Sequence, residues 1–277
     1  MTELSQVSIE DMIIKREIPV LDPEDNLHKA INEMIKHKVS TAIFTYEKGF
    51  KLITSKICAR KIVENIWKVD TIVERIPLSN LFKDVAITDP LHLSDPSTKA
   101  IKTILERRDN YIVSGDGEFY EITGEDALPL FILWEDDLES EAANNFLDEV
   151  VMVPPTQSAV STYEKYSAKN LTAAIVVNPA RQPIGIVTNR DYTFSYKELI
   201  KLLEKIKPER DMKIDVEKVM KKEVIFEFED QNIMTIINDM VENDIGHIPI
   251  VDKEDQVVGV IYKYTLLKHL VRLDEGS

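Results

Sequence analysis

The sequence predicts a mixed α/β (α+β) protein assembled from four copies of one unit. Each copy reads as a turn, an amphipathic helix, two short strands and a capped second helix. Three observations carry this expectation. Apolar residues at helical spacing precede short β-branched runs in each stretch of the chain. The turns ahead of the helices, at Pro23, Pro96, Pro155 and Asp230, lie 73, 59 and 75 residues apart. The segments ending at Thr54 and Thr188 correspond at a distance of 134 residues, so copies three and four echo copies one and two. Recurrence of this kind marks a repeat architecture.

Composition bounds what such a protein does. With 277 residues, 44% hydrophobic and 30% charged, the chain has enough material for one large or two ordinary globular domains. Acidic residues outnumber basic ones 49 to 34, a net charge of −15. That balance argues against nucleic acid or an anionic membrane as partner, since both need a basic face. A nucleotide needs only a few local cations. Cys58 is the single cysteine, which leaves no disulfide within the chain and no cysteine-built zinc site. Met1 to Asp11 lacks the pattern of a signal peptide, and no stretch approaches the ~18 apolar residues of a membrane span. The expected location is cytoplasmic.

In the first copy, Asp22-Pro23 marks the turn and Leu27, Ala30, Ile31, Met34 and Ile35 form a helical face. Thr41–Thr45 and Phe50–Ile53 read as hairpin strands around Glu47-Lys48-Gly49. Thr54 takes the cap position, followed by Ile57 three places on, with Ile62, Val63, Ile66 and Trp67 continuing a helix. The second copy has its turn at Asp95-Pro96 and its helical face at Ala100, Ile101, Ile104 and Leu105. The strands Tyr111–Val113 and Phe119–Ile122 flank Gly115-Asp116-Gly117, a strong turn signal. Thr123 and Asp126 close it.

Between Trp134 and Asp148 the chain becomes acidic, with Glu135, Asp136, Asp137, Glu139 and Glu141 among few apolar residues. We therefore expect two modules, 1–134 and 150–277, joined by an acidic linker at 135–149. The units run over about 7–68, 76–134, 150–196 and 215–273. Copy three has its turn at Pro154-Pro155, a stripe beginning at Ala159, Val160 and Tyr163, and a strand at Ala173–Val177. An amphipathic stretch through Leu199, Ile200, Leu202, Leu203 and Ile206 leads past Pro208 to copy four. There Ile233, Ile236, Ile237, Met240 and Val241 make the cleanest stripe, with strands at His247–Val251 and Val257–Ile261.

The chemistry-bearing stretch is Gly185-Ile186-Val187-Thr188-Asn189-Arg190-Asp191. A strand ending at Thr188 and turning into a helix leaves first-turn N–H groups that Thr188 can cap, with Asp191 placed favourably in the first turn. On that reading the segment is a structural capping box. The other reading is a ligand site. The segment resembles the Gly-hydrophobic-x-Thr/Ser-x-x-Asp signature of CBS domains, the adenosine-nucleotide-sensing modules named after cystathionine β-synthase. The other three copies carry Lys51-Leu-Ile-Thr54-Ser-Lys-Ile57, Tyr120-Glu-Ile-Thr123-Gly-Glu-Asp126 and Gly259-Val-Ile-Tyr262-Lys-Tyr-Thr265.

The resemblance implies four β-α-β-β-α units, paired into two Bateman modules that can stack as a disc. It further implies a non-catalytic regulatory protein that binds AMP, ADP or ATP in clefts between paired units. In the family the motif Asp bonds the ribose hydroxyls, its Thr or Ser lies near the ribose and phosphate, and basic or His side chains meet the phosphates. Carried to this chain, the candidate site is Thr188, Asp191 and Arg190, with Met152 and Val153 flanking the base and His247 near the phosphates. Thr123 and Asp126 form a second candidate, compromised by Tyr120 in the glycine position. Each residue also has a structural reading: cap, core or solvated surface. Ile57 and Thr265 lack the carboxylate, so clefts one and four are expected to be empty or divergent.

No competing catalytic set is present. The sequence has no phosphate-cradling Gly loop with Lys, no His-Glu-x-x-His and no Gly-x-Ser-x-Gly. His28, His37, His92 and His269 show no metal-ligand spacing, and no metal cofactor is expected. Two functions remain open: a nucleotide-binding regulatory protein, acting on an unknown protein target as a two-module monomer or a homodimer, or a scaffold whose degenerate clefts bind nothing.

Overall fold

The computed structural model describes residues 3–46, 49–206 and 213–276. The expected turn at Glu47-Lys48 and Pro208 lie outside them, as do the side chains of Trp67, Leu203 and Ile206.

Each copy folds as an amphipathic helix followed by an antiparallel strand pair and a second helix. In copy one the helix Leu27–His37 starts at Asn26, whose side chain accepts from Lys29 N at 2.9 Å. It buries Leu27, Ala30, Ile31 and Met34. Ile35, expected on the same face, is instead 48% exposed, because it falls at the stripe's outer edge. The helix ends at Lys38, in the left-handed conformation with φ 58°. Arg108 ends the corresponding helix Ser97–Arg107 of copy two at φ 47°. Such caps close a helix sharply, usually with Gly or Asn. Here they place two cations where helix gives way to strand.

The hairpins follow in register: Thr41 opposite Thr54, Tyr111 opposite Ile122, Ala173 opposite Thr188, and His247 opposite Tyr262. Antiparallel pairing puts the start of each first strand beside the end of its partner, at the mouth of the second helix. That one geometric fact gathers the motif positions of all four copies at equivalent places. The second helices are Ser55–Glu64, Glu125–Trp134, Asn189–Phe194 and Lys263–Gly276. The second of these is a 3-10 helix carrying Pro129, which has no N–H to give to an α-helical ladder.

The copies exchange leading segments. Arg16-Glu17, ahead of copy one, pairs with Glu121 and Tyr120 of copy two. Ile87-Thr88, ahead of copy two, pairs with Lys51 and Phe50 of copy one. The second pair repeats this more sparingly: Asp148 N donates to Val260 O at 2.9 Å, and Lys221 and Ile186 exchange bonds at 2.9 and 3.0 Å. Among the described residues the result is four small mixed sheets, two per module.

The modules meet through their motif helices. Ser55–Glu64 packs on Asn189–Phe194, and Glu125–Trp134 packs on Lys263–Gly276. Thr193 Oγ1 donates to Ser55 O at 2.8 Å, and Tyr196 Oη lies 2.6 Å from His28 Nδ1. One large apolar core runs through both modules, with a small separate cluster at Ile175, Val251 and Val257. The acidic stretch 135–149 connects them while packed: Leu138, Ala143 and Phe146 are buried, and Ala143 N and Ile233 N bond across to Gln231 O and Glu141 O. Among the described residues, no helix is long and apolar enough to cross a membrane.

Candidate functional site

The four hairpin mouths enclose a polar cavity of about 540 Å³, within the range of small-ligand sites. Every copy contributes to its wall, and so do the left-handed caps Lys38 and Arg108.

Thr188, Arg190 and Asp191 stand together on that wall. Thr188 N and Oγ1 both donate to Asp191 Oδ2, each at 2.7 Å. Among the described residues nothing donates to Asp191 Oδ1. Burial raises the Asp191 pKa, opposed by the two Thr188 hydrogen bonds and by the charges of Arg190 and Lys221. Lys221 also lines the cavity, fixed by its backbone exchange with Ile186. Neither Arg190 nor Lys221 has a carboxylate within ion-pair distance among the described residues; the Arg190 guanidinium lies 5.3 Å from the Phe194 ring. The motif glycine serves the exchanged segment, since a Cβ on Gly185 would sit 2.3 Å from Met220 Sδ.

Copy two is arranged differently. Thr123 reaches the cavity, and its N and Oγ1 donate to Asp126 Oδ2 at 2.7 and 3.0 Å. The Asp126 side chain has no exposed surface. Arg16 grips both its oxygens, Nη1 to Oδ2 at 3.2 Å and Nη2 to Oδ1 at 3.1 Å, and Ile14 N adds a 3.3 Å bond. In copy one, where Ile57 replaces the carboxylate, Thr54 Oγ1 donates at 2.6 Å to Asp109 of copy two. In copy four, Thr265 bonds Asp148 of the segment leading into copy three.

His247 lines the cavity, with Nε2 2.8 Å from Thr172 Oγ1 and its ring edge-on to Tyr262. Burial, reinforced by the charge of Lys263, pushes its pKa down to about 4. At neutral pH it offers hydrogen bonds and no charge. Met152 and Val153 do not line the cavity. They pair with Ile175 and Val176, where Val153 is buried and Met152 packs beside Ile175, Val251 and Val257. The segment that flanks Thr188 is Lys221 with Glu223, Val224 and Ile225, which sequence reasoning missed. A positional signal was available: Lys221 precedes the Asp230 turn by nine residues, as Ile87 precedes Pro96. Among the described residues, no three His, Cys, Asp or Glu side chains converge as metal ligands.

Comparison with known proteins agrees with this architecture. The family model "CBS domain" matches residues 216–272. Protein MJ1225 from Methanocaldococcus jannaschii superposes over 95% of this chain and 99% of its own, with a TM-score of 0.75 and 19% identity. An uncharacterized conserved protein from Pyrococcus horikoshii covers 95% of this chain and 100% of its own, at a TM-score of 0.54 and 15% identity. Among curated relatives, uncharacterized protein MK0525 of Methanopyrus kandleri is 28% identical over 121 residues, 43% of this chain. The match spans 57% of that relative's length. Residues 216–272 thus match a CBS domain, and the chain as a whole shares the fold of MJ1225, with four units arranged as two pairs.

Proposed function

We propose that this protein is a non-catalytic regulatory module that takes an adenosine nucleotide, AMP, ADP or ATP, in the copy-three cleft. One observation carries the reading. Among the described residues, Asp191 presents a carboxylate oxygen that receives no hydrogen bond, beside two cations, Arg190 and Lys221, with no carboxylate within ion-pair distance. A ribose diol on Asp191 would supply the missing donors through charge-assisted hydrogen bonds, and Arg190 and Lys221 are placed for the phosphates. MJ1225 is described as a candidate archaeal homologue of g-AMPK, which agrees in kind. The modules are 1–134 and 150–277, with 135–149 as an acidic connector, in a cytoplasmic protein that passes ligand occupancy to a protein target.

A specific observation also favours the second reading, a ligand-free scaffold. Asp126 is gripped by Arg16, Glu125 by Lys263, and Thr54 by Asp109, so polar groups of copies one, two and four are satisfied by partners from other segments of the chain. Calorimetric titration of the full chain with AMP, ADP and ATP separates the two. Saturable binding that Asp191→Ala weakens supports the sensor; no heat with any of the three leaves the scaffold.

A further inference from the structure

Arg16 and Lys221 occupy equivalent positions. Arg16 pairs with Glu121, two residues before Thr123, and Lys221 bridges to Ile186, two residues before Thr188. Each thus brings a cation to the cleft of the neighbouring copy's Thr and Asp. The outcomes differ. The Arg16 side chain is only 17% exposed and fastens on both oxygens of Asp126. Lys221 is exposed, has no ion pair among the described residues, and leaves Asp191 Oδ1 without a donor.

The chemistry of the two side chains explains this. A guanidinium presents a planar fork that matches both oxygens of a carboxylate, whereas an ammonium is a single well-hydrated point charge. A carboxylate offers roughly four lone-pair positions. Asp126 receives donors from Thr123 N, Thr123 Oγ1, Ile14 N and both ends of the Arg16 fork, so nothing remains for a diol. The same Arg16 Nη2 also lies 3.8 Å from Asp244 of the other module.

We propose that Arg16 is a built-in occupant of the copy-two cleft: it takes the place of a ribose on Asp126 and limits the protein to a single nucleotide site. This rests on the reading of Asp191 as a ribose-binding carboxylate. Asp126 then retains its motif identity because it anchors Arg16.

The test is calorimetric titration of the full chain with AMP, comparing wild type, Arg16→Ala and Arg16→Lys, with thermal melts to confirm folding. Arg16→Lys keeps a counter-charge for Asp126, so it guards against loss of fold in Arg16→Ala. The expected result is one mole of AMP per wild-type chain and two in a folded variant, the second lost on adding Asp126→Ala. One site in every folded variant overturns the proposal. So does a second site that survives Asp126→Ala. A wild type that binds no AMP, beside a variant that binds one mole through Asp126, supports Arg16 as the occupant of the copy-two cleft and overturns both the copy-three reading and the count of one site.

Discussion

Lys263, in the first turn of the last helix, reaches across the module boundary to Glu125 of copy two, with Nζ 2.6 Å from Oε2. Gly124 and Gly246 flank its stem: a Cβ on either would come within 2.9 Å of Lys263 Cδ. Both charged groups are largely withdrawn from water. Burial opposes ionisation of Glu125, but the charge of Lys263 and its hydrogen bond outweigh this and hold the Glu125 pKa below the ordinary value. Burial likewise opposes the charge on Lys263, and Glu125 outweighs it, keeping that pKa raised.

Removing one partner leaves the other charge buried and alone. Lys263→Ala is expected to cost about 3–5 kcal/mol in unfolding free energy, and replacing both residues by apolar side chains much less. Urea denaturation of both variants checks this. Equal destabilisation by the single and double changes would refute the account.

The same pair fixes a pH response. Glu125 contributes stability that is present above its unfolded pKa of about 4.3 and is lost as pH falls through its lower folded value. Lys263 contributes stability that is present below about pH 10.4 and is lost as pH rises through its higher folded value. Denaturation across pH should show both losses in wild type and neither in the apolar double variant.

His247 titrates in the opposite sense to a paired histidine. Its folded pKa of about 4 lies below the unfolded value, so the folded state favours the neutral ring. The associated stability is complete above about pH 6.5 and is lost progressively as pH falls toward 4. The imidazole resonances are expected to stay those of a neutral ring from pH 5.5 to 8. A midpoint near 6.5 in the folded protein would contradict the burial argument.

Asp191→Ala is expected to weaken nucleotide binding by ~10-fold or more, since charge-assisted bonds are worth roughly 1.5–3 kcal/mol each. Asp126→Ala is expected to leave affinity unchanged and to lower stability, because it strands the buried Arg16 charge. Stability must be measured beside affinity for both. Unchanged affinity in folded Asp191→Ala leaves capping as that residue's role.

Lys221→Ala is expected to weaken AMP binding several-fold and to leave adenosine binding nearly unchanged, since the lost partner is a phosphate. The AMP affinity of wild type should also fall with added salt. An equal loss for AMP and adenosine would place Lys221 elsewhere in the cleft.

The repeat was legible because its long elements obey strong local rules. Helical stripes such as Ile233, Ile236, Ile237 and Met240 are buried as their spacing implies, and Gly117 at φ 85° turns the copy-two hairpin where Asp116-Gly117 predicts. Thr188 and Asp191 were visible as a pair because three-residue spacing across a helix start brings them together whatever surrounds them. The segment beside Thr188 was not legible, since two-residue strands carry no periodicity: Met152 and Val153 pair with Ile175 and Val176, while Lys221, Glu223, Val224 and Ile225 line the cavity.

The sequence by itself therefore determined the units, their order, and which copies retain a hydroxyl and a carboxylate. Only the tertiary structure decided which carboxylate stays open. Asp126 and Asp191 have the same local motif, and their difference comes from residues more than a hundred and about thirty positions away, Arg16 and Lys221. Long-range pairing brings those cations to the clefts, and the planarity of one and the hydration of the other decide whether the site is closed from within.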